Sequence, residues 1–124
     1  MFGLLLDEHL SPKVAAGLRR LNLPVVVHAM NEWNGGAFLG RTDAECLAEA
    51  ARQRLTFVTC DCRAIPRPLK AWREQGRSHS GVIYVSQKTV SPADIGSLVR
   101  ALAILIREPA GRDRIDRQVF LRYE

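Results

Sequence analysis

Three aspartates that are far apart in the sequence stand where predicted strands end or a predicted helix begins. Asp7 directly follows the run of three leucines at 4–6. Asp61 ends a later apolar run, and Asp43 falls in the first turn of a predicted helix. If the strands are parallel, their carboxyl ends and the helix start share one edge of a sheet, so the three carboxylates converge there.

A group of carboxylates at one edge predicts a site for a divalent cation. Clustered carboxylates repel one another unless a cation lies among them, and oxygen ligands suit Mg²⁺ or Mn²⁺. An ion of this kind activates water and neutralises the charge that develops on a phosphate, which is the chemistry of phosphodiester hydrolysis. We therefore predict that Asp7, Asp43 and Asp61 bind the metal ion and are, as its ligands, the catalytic residues. Glu8 and His9 are expected to support them from behind.

Each acid also has a structural interpretation. Asp7 and Glu8 can begin a solvated turn, and Asp61 can form one. Asp43 is favourable at a helix start because its charge complements the helix dipole. Glu45 fits the capping box that starts the same helix, and it can also take part as a further acid beside the metal ligands.

The positive charge of the chain is concentrated in its second half. Residues 1–62 contain six Lys or Arg against seven Asp or Glu, and residues 63–124 contain twelve against six. The formal net charge of +5 is thus the sum of −1 in the first half and +6 in the second. A basic half beside an acidic site predicts a polyanionic partner such as RNA, although the excess also serves solubility. The residues expected to contact RNA are Arg63, Arg67, Lys70 and Arg73.

Apolar runs alternate with amphipathic segments along the chain, which predicts a sheet covered by helices. Strands are expected at 4–6, 24–29, 55–60 and 81–86, with a small final one at 119–121. Helices are expected at 12–21, from the Thr42 cap to residue 51, at 65–75 and from the Ser91-Pro92 pair to 106. Such alternation is typical of an α/β fold with a mostly parallel sheet and right-handed crossovers. We expect one domain over 1–124, with four to five strands and a C-terminal tail, 106–124, that adds an edge strand.

The composition favours a globular protein that is neither exported nor inserted into a membrane. Hydrophobic residues make up 47% and charged residues 25% of the 124 positions, which is ordinary for a globular domain. No apolar run approaches the ~20 residues that span a bilayer, and the N-terminus lacks both a basic region and a cleavage site of the kind that export signals carry. Cys60 and Cys62 are too close for an easy bridge, and three cysteines in all favour reduced thiols. We therefore expect a cytoplasmic protein with no membrane partner.

At four places the residues resemble the landmarks of the small PIN-like proteins, relatives of the toxin ribonucleases of bacterial toxin–antitoxin pairs. The matching segments are 4–12, 42–45, 56–61 and 80–83, and the most specific is the opening Leu-Leu-Leu-Asp-Glu-His-Leu-Ser-Pro. The resemblance extends over roughly residues 3 to 106. It implies a single PIN-like domain with Mg²⁺-dependent ribonuclease activity on single-stranded RNA, often with an antitoxin partner and often as a homodimer. It also implies that Asp7, Asp43 and Asp61 hold the metal.

The chain departs from the family pattern at Arg63. Relatives usually carry another aspartate two residues after the third acid, in the pattern Thr-x-Asp-x-Asp, where this chain has Arg63. Losing a carboxylate and gaining a cation weakens metal affinity. Two hypotheses follow: an active ribonuclease with a different fourth ligand, and a PIN-like module that binds nucleic acid or protein without cleaving it.

Other interpretations start from the same residues. Phospho-receiver domains also carry acids at the ends of the first and third strands, with a lysine further on, for which Lys88 is the candidate. A zinc site built on Cys60 and Cys62 lacks the usual ligand spacing, and no nucleophile elbow of a hydrolase is present. Trp33 and Trp72 could stack on bases, but we expect them to pack against the core.

Overall fold

A computed structural model describes residues 3–60, 66–86, 93–108 and 117–121 of the chain. The strands are β1 Gly3–Leu6, β2 Val27–Ala29, β3 Leu55–Thr59, β4 Val82–Tyr84 and β5 Gln118–Phe120. The described helices are α1 Pro12–Arg19, α2 Asp43–Arg52, α3 Pro66–Glu74 and α4 Ile95–Arg107, with a 3₁₀ turn at Trp33–Gly36. The five strands form one parallel sheet in the order β2-β1-β3-β4-β5, which confirms the predicted α/β class and the small final strand at an edge. None of the described helices combines the length and the apolar character needed to cross a bilayer.

Strand β1 is covered by helices on both faces. Leu4 and Leu6 are buried in one apolar cluster with α1 and α4, and Leu5 is buried in a second cluster with α2 and α3. Because successive side chains of a strand point to opposite faces, three consecutive leucines fit only where both faces are covered. Each such burial stabilises the fold by about 1.5–3 kcal/mol, so β1 is firmly held where it leads into Asp7.

Side-chain caps decide where α1 and α4 begin. The Ser11 hydroxyl accepts a hydrogen bond of 3.2 Å from the N–H of Lys13, which confirms the predicted start of α1. Helix α4 begins later than predicted, because the carboxylate of Asp94 accepts a hydrogen bond of 3.2 Å from the N–H of Ser97 and so caps the helix. The Ser91-Pro92 pair, on which that prediction depended, lies outside the described residues.

Helix α4 lies on the same face of the sheet as α1, which differs from the predicted uniform handedness. Leu98 and Leu102 of α4 share a buried cluster with Val14 and Leu18 of α1. From β2 to β3, to β4 and to β5 the chain moves in one direction across the sheet, yet α2 and α3 cover the opposite face. The β4–α4–β5 crossover therefore has the opposite hand to the two before it, against the usual rule. The physical reason is coverage: among the described helices α1 is the only other one on this face, and α4 buries the apolar side chains that α1 cannot reach.

Strand β2 is shorter than predicted. It contains Val27–Ala29 instead of residues 24–29, and Val26 is 61% exposed. The reason is its position at the edge of the sheet, where only β1 pairs with it. An apolar, β-branched run can therefore look like a buried central strand in the sequence and still lie half in solvent.

Both tryptophans pack into the core, as predicted. Trp33 is 2% exposed and Trp72 is 5% exposed. The indole N–H of Trp33 donates a hydrogen bond of 3.1 Å to Oε1 of Gln53, which holds the segment between β2 and α2 against the end of α2. A base cannot stack on rings that are covered to this extent.

Candidate metal centre

Asp7 stands at the carboxyl edge of the two central strands. Leu6 is paired with Val58 in the parallel ladder, and the N–H of Asp7 donates a hydrogen bond of 2.9 Å to the carbonyl of Val58. The ladder thus continues one residue beyond β1. In an open α/β sheet, the place where the strand order reverses is the usual binding crevice, and here it lies between β1 and β3.

The carboxylate of Asp7 is buried and held by a residue of β3. Asp7 is 3% exposed, and its Oδ2 accepts a hydrogen bond of 2.9 Å from the hydroxyl of Thr59, which is itself buried. A buried carboxylate is costly unless hydrogen bonds or a cation compensate it, so this contact fixes the side chain in one orientation. Sequence reasoning did not assign a role to Thr59, although it is the threonine of the Thr-x-Asp pattern and marks the end of β3.

Glu8 and His9 follow Asp7 in the turn after β1, and each can bring a ligand atom close to it. After Asp7 the chain turns back, and the N–H of Leu10 donates a hydrogen bond of 3.0 Å to the carbonyl of Asp7. One ligand atom from each of Asp7, Glu8 and His9 lies within 4.8 Å of the others. Glu8 and His9 are exposed, so the group has one buried and two solvent-facing members. The sequence prediction had placed these two residues in a supporting role.

The Cys46 thiol of α2 lies near acids at the end of β1 and at the start of its own helix. Burial is the main reason that the pKa of Cys46 rises to about 11. Negative charges add to the effect in the order Asp43, Asp7, Glu8 and Glu45. The thiol is thus within electrostatic range of acids from two separate elements, the end of β1 and the start of α2. Whether Asp7 and Asp43 share a metal stays a prediction.

Glu45 acts as the capping partner at the start of α2. Its N–H donates to the Thr42 hydroxyl at 3.2 Å, and that hydroxyl donates to Glu45 Oε1 at 3.0 Å. Arg41 donates to the other oxygen, Oε2, at 2.9 Å. The hydrogen bonds from Arg41 and then from Thr42 hold the pKa of Glu45 below its ordinary value. Both carboxylate oxygens are thus engaged at the helix start, which confirms the capping interpretation.

Several predicted site residues lie outside the described part of the chain. These are Asp61, Arg63 and the side chain of Arg67. The register of β1 with β3 brings Thr59, two positions before Asp61, to the same edge as Asp7. Lys70 and Arg73 are exposed on α3, where they are available to an anionic partner.

The donors beside Asp7 suit a hard divalent cation. The carboxylates of Asp7 and Glu8 supply oxygen ligands, and Mg²⁺ is typically bound through one or two carboxylates while it keeps several waters. The carboxylates and waters that suit Mg²⁺ also suit Mn²⁺, and the imidazole of His9 offers one further nitrogen ligand. Because Glu8 and His9 are exposed, waters and a substrate can reach the same position. The three residues can therefore bind a divalent ion at the edge of the sheet.

Comparison of the chain with protein-family models, with curated proteins and with solved structures finds no match in any of the three. The fold and the acidic group are therefore the observations from which a function must be argued. The resemblance to the PIN-like proteins stays a prediction from the residues.

Proposed function

We propose that this chain is a divalent-metal-dependent ribonuclease that cleaves single-stranded RNA. The observation that supports it most directly is the group of Asp7, Glu8 and His9 at the carboxyl edge of β1, with ligand atoms within 4.8 Å of one another. In this proposal Asp7, Asp43 and Asp61 hold Mg²⁺ or Mn²⁺, and Glu8 or His9 supplies the ligand that relatives take from the aspartate replaced by Arg63.

Asp7 is suited to be the fixed ligand of such a site. Its backbone is held by β3, and one of its carboxylate oxygens accepts the Thr59 hydroxyl inside the protein. A ligand whose rotamer is fixed before the ion binds loses little conformational freedom on binding. The other carboxylate oxygen of Asp7, Oδ1, would then be the metal ligand.

The chemistry at the site is divided between the ion and the chain. When bound, the ion supplies Lewis-acid stabilisation of the phosphate and lowers the pKa of a coordinated water. In this proposal, whichever of the exposed Glu8 and His9 side chains does not bind the ion is available to accept a proton from an attacking water. Both roles require solvent access, which both side chains have.

The basic helix α3 supports a polyanionic substrate. It follows β3, so it begins at the carboxyl edge that carries Asp7 and runs towards the amino edge of β4. Lys70 and Arg73 are exposed on it. Positive charge along this path raises the local concentration of RNA beside the acids.

A module that binds RNA without cleaving it is the second candidate, and Arg63 favours it. A cation in place of a metal-binding acid would leave the basic surface intact while the ion is bound weakly. A phospho-receiver function is less well supported. Receivers share the strand order found here, but their regular double winding places the helix before β5 opposite α1, whereas α4 packs against α1. Lys88, the receiver candidate, lies outside the described residues.

Exposed apolar side chains at one edge support a protein partner. Phe120 of β5 is 58% exposed and Ile104 of α4 is 46% exposed. Both line a cleft of about 450 Å³ between α4 and β5. Because β5 is an edge strand paired only with β4, we propose a second copy of the chain as the occupant, and an antitoxin protein is the other outcome of the test. Sedimentation analysis of the purified chain distinguishes them, because only self-association gives a concentration-dependent dimer.

The decisive experiment is cleavage of an end-labelled single-stranded RNA by the purified chain in Mg²⁺, in Mn²⁺ and in EDTA. Cleavage is expected with either ion and not with EDTA. Asp7→Asn and Asp61→Asn should each abolish it, whereas Glu108→Gln, which removes an exposed carboxylate at the end of α4, should leave it unchanged. If the Asp7→Asn/Asp61→Asn chain cleaves at the wild-type rate, the activity comes from elsewhere and the proposal fails.

The second candidate is tested with the same preparations. RNA binding that depends on salt but is indifferent to EDTA, without cleavage under any condition, would favour the binding module. In that case Arg63→Asp, which restores the acid of the family pattern, should produce metal-dependent cleavage.

A further inference from the structure

A small cleft lined by two arginines lies at the amino edge of the sheet, away from the acids. It has a volume of about 250 Å³ and lies between the C-terminus of α3, the segment before β4 and the start of β5. Its lining consists of Leu69, Arg73, Gly76, Arg77, Ser78, His79 and Gln118. We call it the Arg73–Arg77 cleft.

The turn after α3 fixes the position of Arg77. The N–H of Arg77 donates to the carbonyl of Trp72 at 2.8 Å, and the N–H of Gly76 donates to the carbonyl of Arg73 at 3.2 Å. With Gly76 at a φ of 71°, these two bonds form the Schellman motif that ends many helices. The chain is thereby folded back, so that the Arg77 guanidinium lies 4.1 Å from the centre of the Trp72 ring. An arginine stacked on a buried ring has few orientations and still presents the N–H groups at its edge.

The charges of the cleft are not neutralised by the described part of the protein. No described carboxylate lies within ion-pair distance of Arg73 or Arg77, and both side chains are exposed. Two guanidinium groups on one small cleft repel each other unless an anion joins them. The planar fork of arginine matches the oxygens of a phosphate, to which it can donate two parallel hydrogen bonds.

The size of the cleft favours a small anion over a large organic ligand. Pockets for drug-sized ligands usually have about 300–1,000 Å³ and a predominantly apolar lining. At about 30 Å³ per water, this cleft holds one phosphate group and several waters. Leu69 is the one aliphatic side chain among its lining residues.

We propose that the Arg73–Arg77 cleft binds a backbone phosphate of the single-stranded RNA, at a distance from the bond that is cleaved. This inference rests on the proposed function, and it adds where the RNA substrate lies on the protein surface. The nine residues of α3 rise about 13 Å along the helix axis, from the edge that carries Asp7 to the edge that carries the cleft. The RNA therefore lies along α3, anchored at its far end.

The test measures binding without catalysis. A fluorescent single-stranded oligoribonucleotide is titrated with the chain in EDTA, and its anisotropy is followed at several salt concentrations. Arg73→Gln and Arg77→Gln should each weaken binding about tenfold, as expected for one charge-assisted contact. Each should also lower the slope of log affinity against log salt by about 0.7.

Two control variants separate a specific contact from a general loss of charge. Arg20→Gln removes an exposed arginine at the end of α1, on the other face of the sheet, and should change affinity less than about twofold. Arg77→Lys keeps the charge but loses the planar fork, so its affinity should fall between those of the wild type and Arg77→Gln. The proposal is overturned if the Arg73→Gln/Arg77→Gln chain binds RNA as Arg20→Gln does.

A competition arm distinguishes the source of the phosphate. Inorganic phosphate and a nucleoside monophosphate are added to the wild type and to the double variant. If Arg73 and Arg77 are needed for these small ligands but not for the oligoribonucleotide, the cleft is a site for free phosphate and the proposal is wrong. If Arg73 and Arg77 prove not to bind RNA, the ribonuclease proposal is unaffected, because cleavage and Mn²⁺ binding depend on Asp7. Conversely, an Asp7→Asn chain that still cleaves would not alter the binding result in EDTA.

Discussion

The hydroxyl of Thr59 donates a hydrogen bond of 2.9 Å to Oδ2 of Asp7 and joins the carboxyl ends of β3 and β1 inside the protein. Both residues are almost completely covered, so water cannot replace the contact. The bond therefore has two consequences. It compensates a buried carboxylate, which benefits stability, and it orients the other oxygen of Asp7 before any ion binds.

Replacing Thr59 by valine should destabilise the chain by about 1–3 kcal/mol, because a buried carboxylate oxygen then loses its donor while the shape of the side chain is retained. Urea denaturation followed by circular dichroism measures the change. Thr59→Ser keeps the hydroxyl and should recover most of the loss. Equal losses for valine and serine would show that packing, and not the hydrogen bond to Asp7, is responsible.

Mn²⁺ binding should depend on the acids at the carboxyl edge. Asp7→Asn is expected to weaken Mn²⁺ binding about 100-fold or more, since even residues that only support metal ligands contribute 10–100-fold. Asp43→Asn should weaken it as well if α2 contributes a ligand. Titration followed by electron paramagnetic resonance measures free Mn²⁺ directly. Glu108→Gln is the matched control and should leave the Mn²⁺ affinity unchanged. If Asp7→Asn also leaves it unchanged, the metal site does not lie at the end of β1.

The Cys46 thiol should be unreactive at neutral pH. Its pKa is raised to about 11 by burial and by the neighbouring acids, so almost no thiolate is present near pH 7. Iodoacetamide treatment of the native chain followed by peptide mass mapping should leave Cys46 unmodified, whereas the half-buried Cys60 reacts. Asp43→Asn removes the largest charge contribution and should lower the pKa of Cys46. An unchanged thiol titration in this variant would contradict the proximity of Asp43.

The same thiol gives a dependence of stability on alkaline pH. The folded pKa of about 11 lies above the ordinary value of 9.0, so the unfolded chain loses this proton first as the pH rises. The free energy of unfolding is therefore unaffected by this thiol below the pKa of the unfolded chain. It falls as the pH rises from that value through the pKa of the folded chain. Cys46→Ala should therefore show a smaller fall in the free energy of unfolding over this range than the wild type. Parallel curves would contradict the shift.

Glu45 should make the chain sensitive to acid through the start of α2. Because hydrogen bonds from Arg41 and Thr42 hold its pKa below the ordinary 4.5, folding favours its ionised form. This stabilisation is present above the unfolded pKa and is lost as the pH falls through the lower folded value. Urea titrations below that ordinary value should show a shallower decline for Glu45→Gln than for the wild type. Thr42→Ala, which removes the cap itself, should cost about 0.5–2 kcal/mol at neutral pH, and Thr42→Ser should cost little.

The features that could be predicted are those with a local signal. The caps Ser11 and Thr42 start helices where expected, and the leucines at 4–6 are buried on both faces. Two features that depend on the neighbours of an element differ from the prediction. Val26 is exposed because β2 lies at an edge, and α4 takes the face of α1 because that face needed a second cover.

The sequence by itself determined that helices alternate with parallel strands and that an acid follows the central strand, because hydrophobic period and capping act over a few neighbouring residues. Only the tertiary structure decided that Thr59 meets Asp7, that Glu8 and His9 stand beside it, and that Arg77 stacks on Trp72 at the opposite edge. These contacts depend on the register of β1 with β3 and on the turns that follow β1 and α3. Such geometry arises from the packing of distant segments, and no local pattern of residues encodes it.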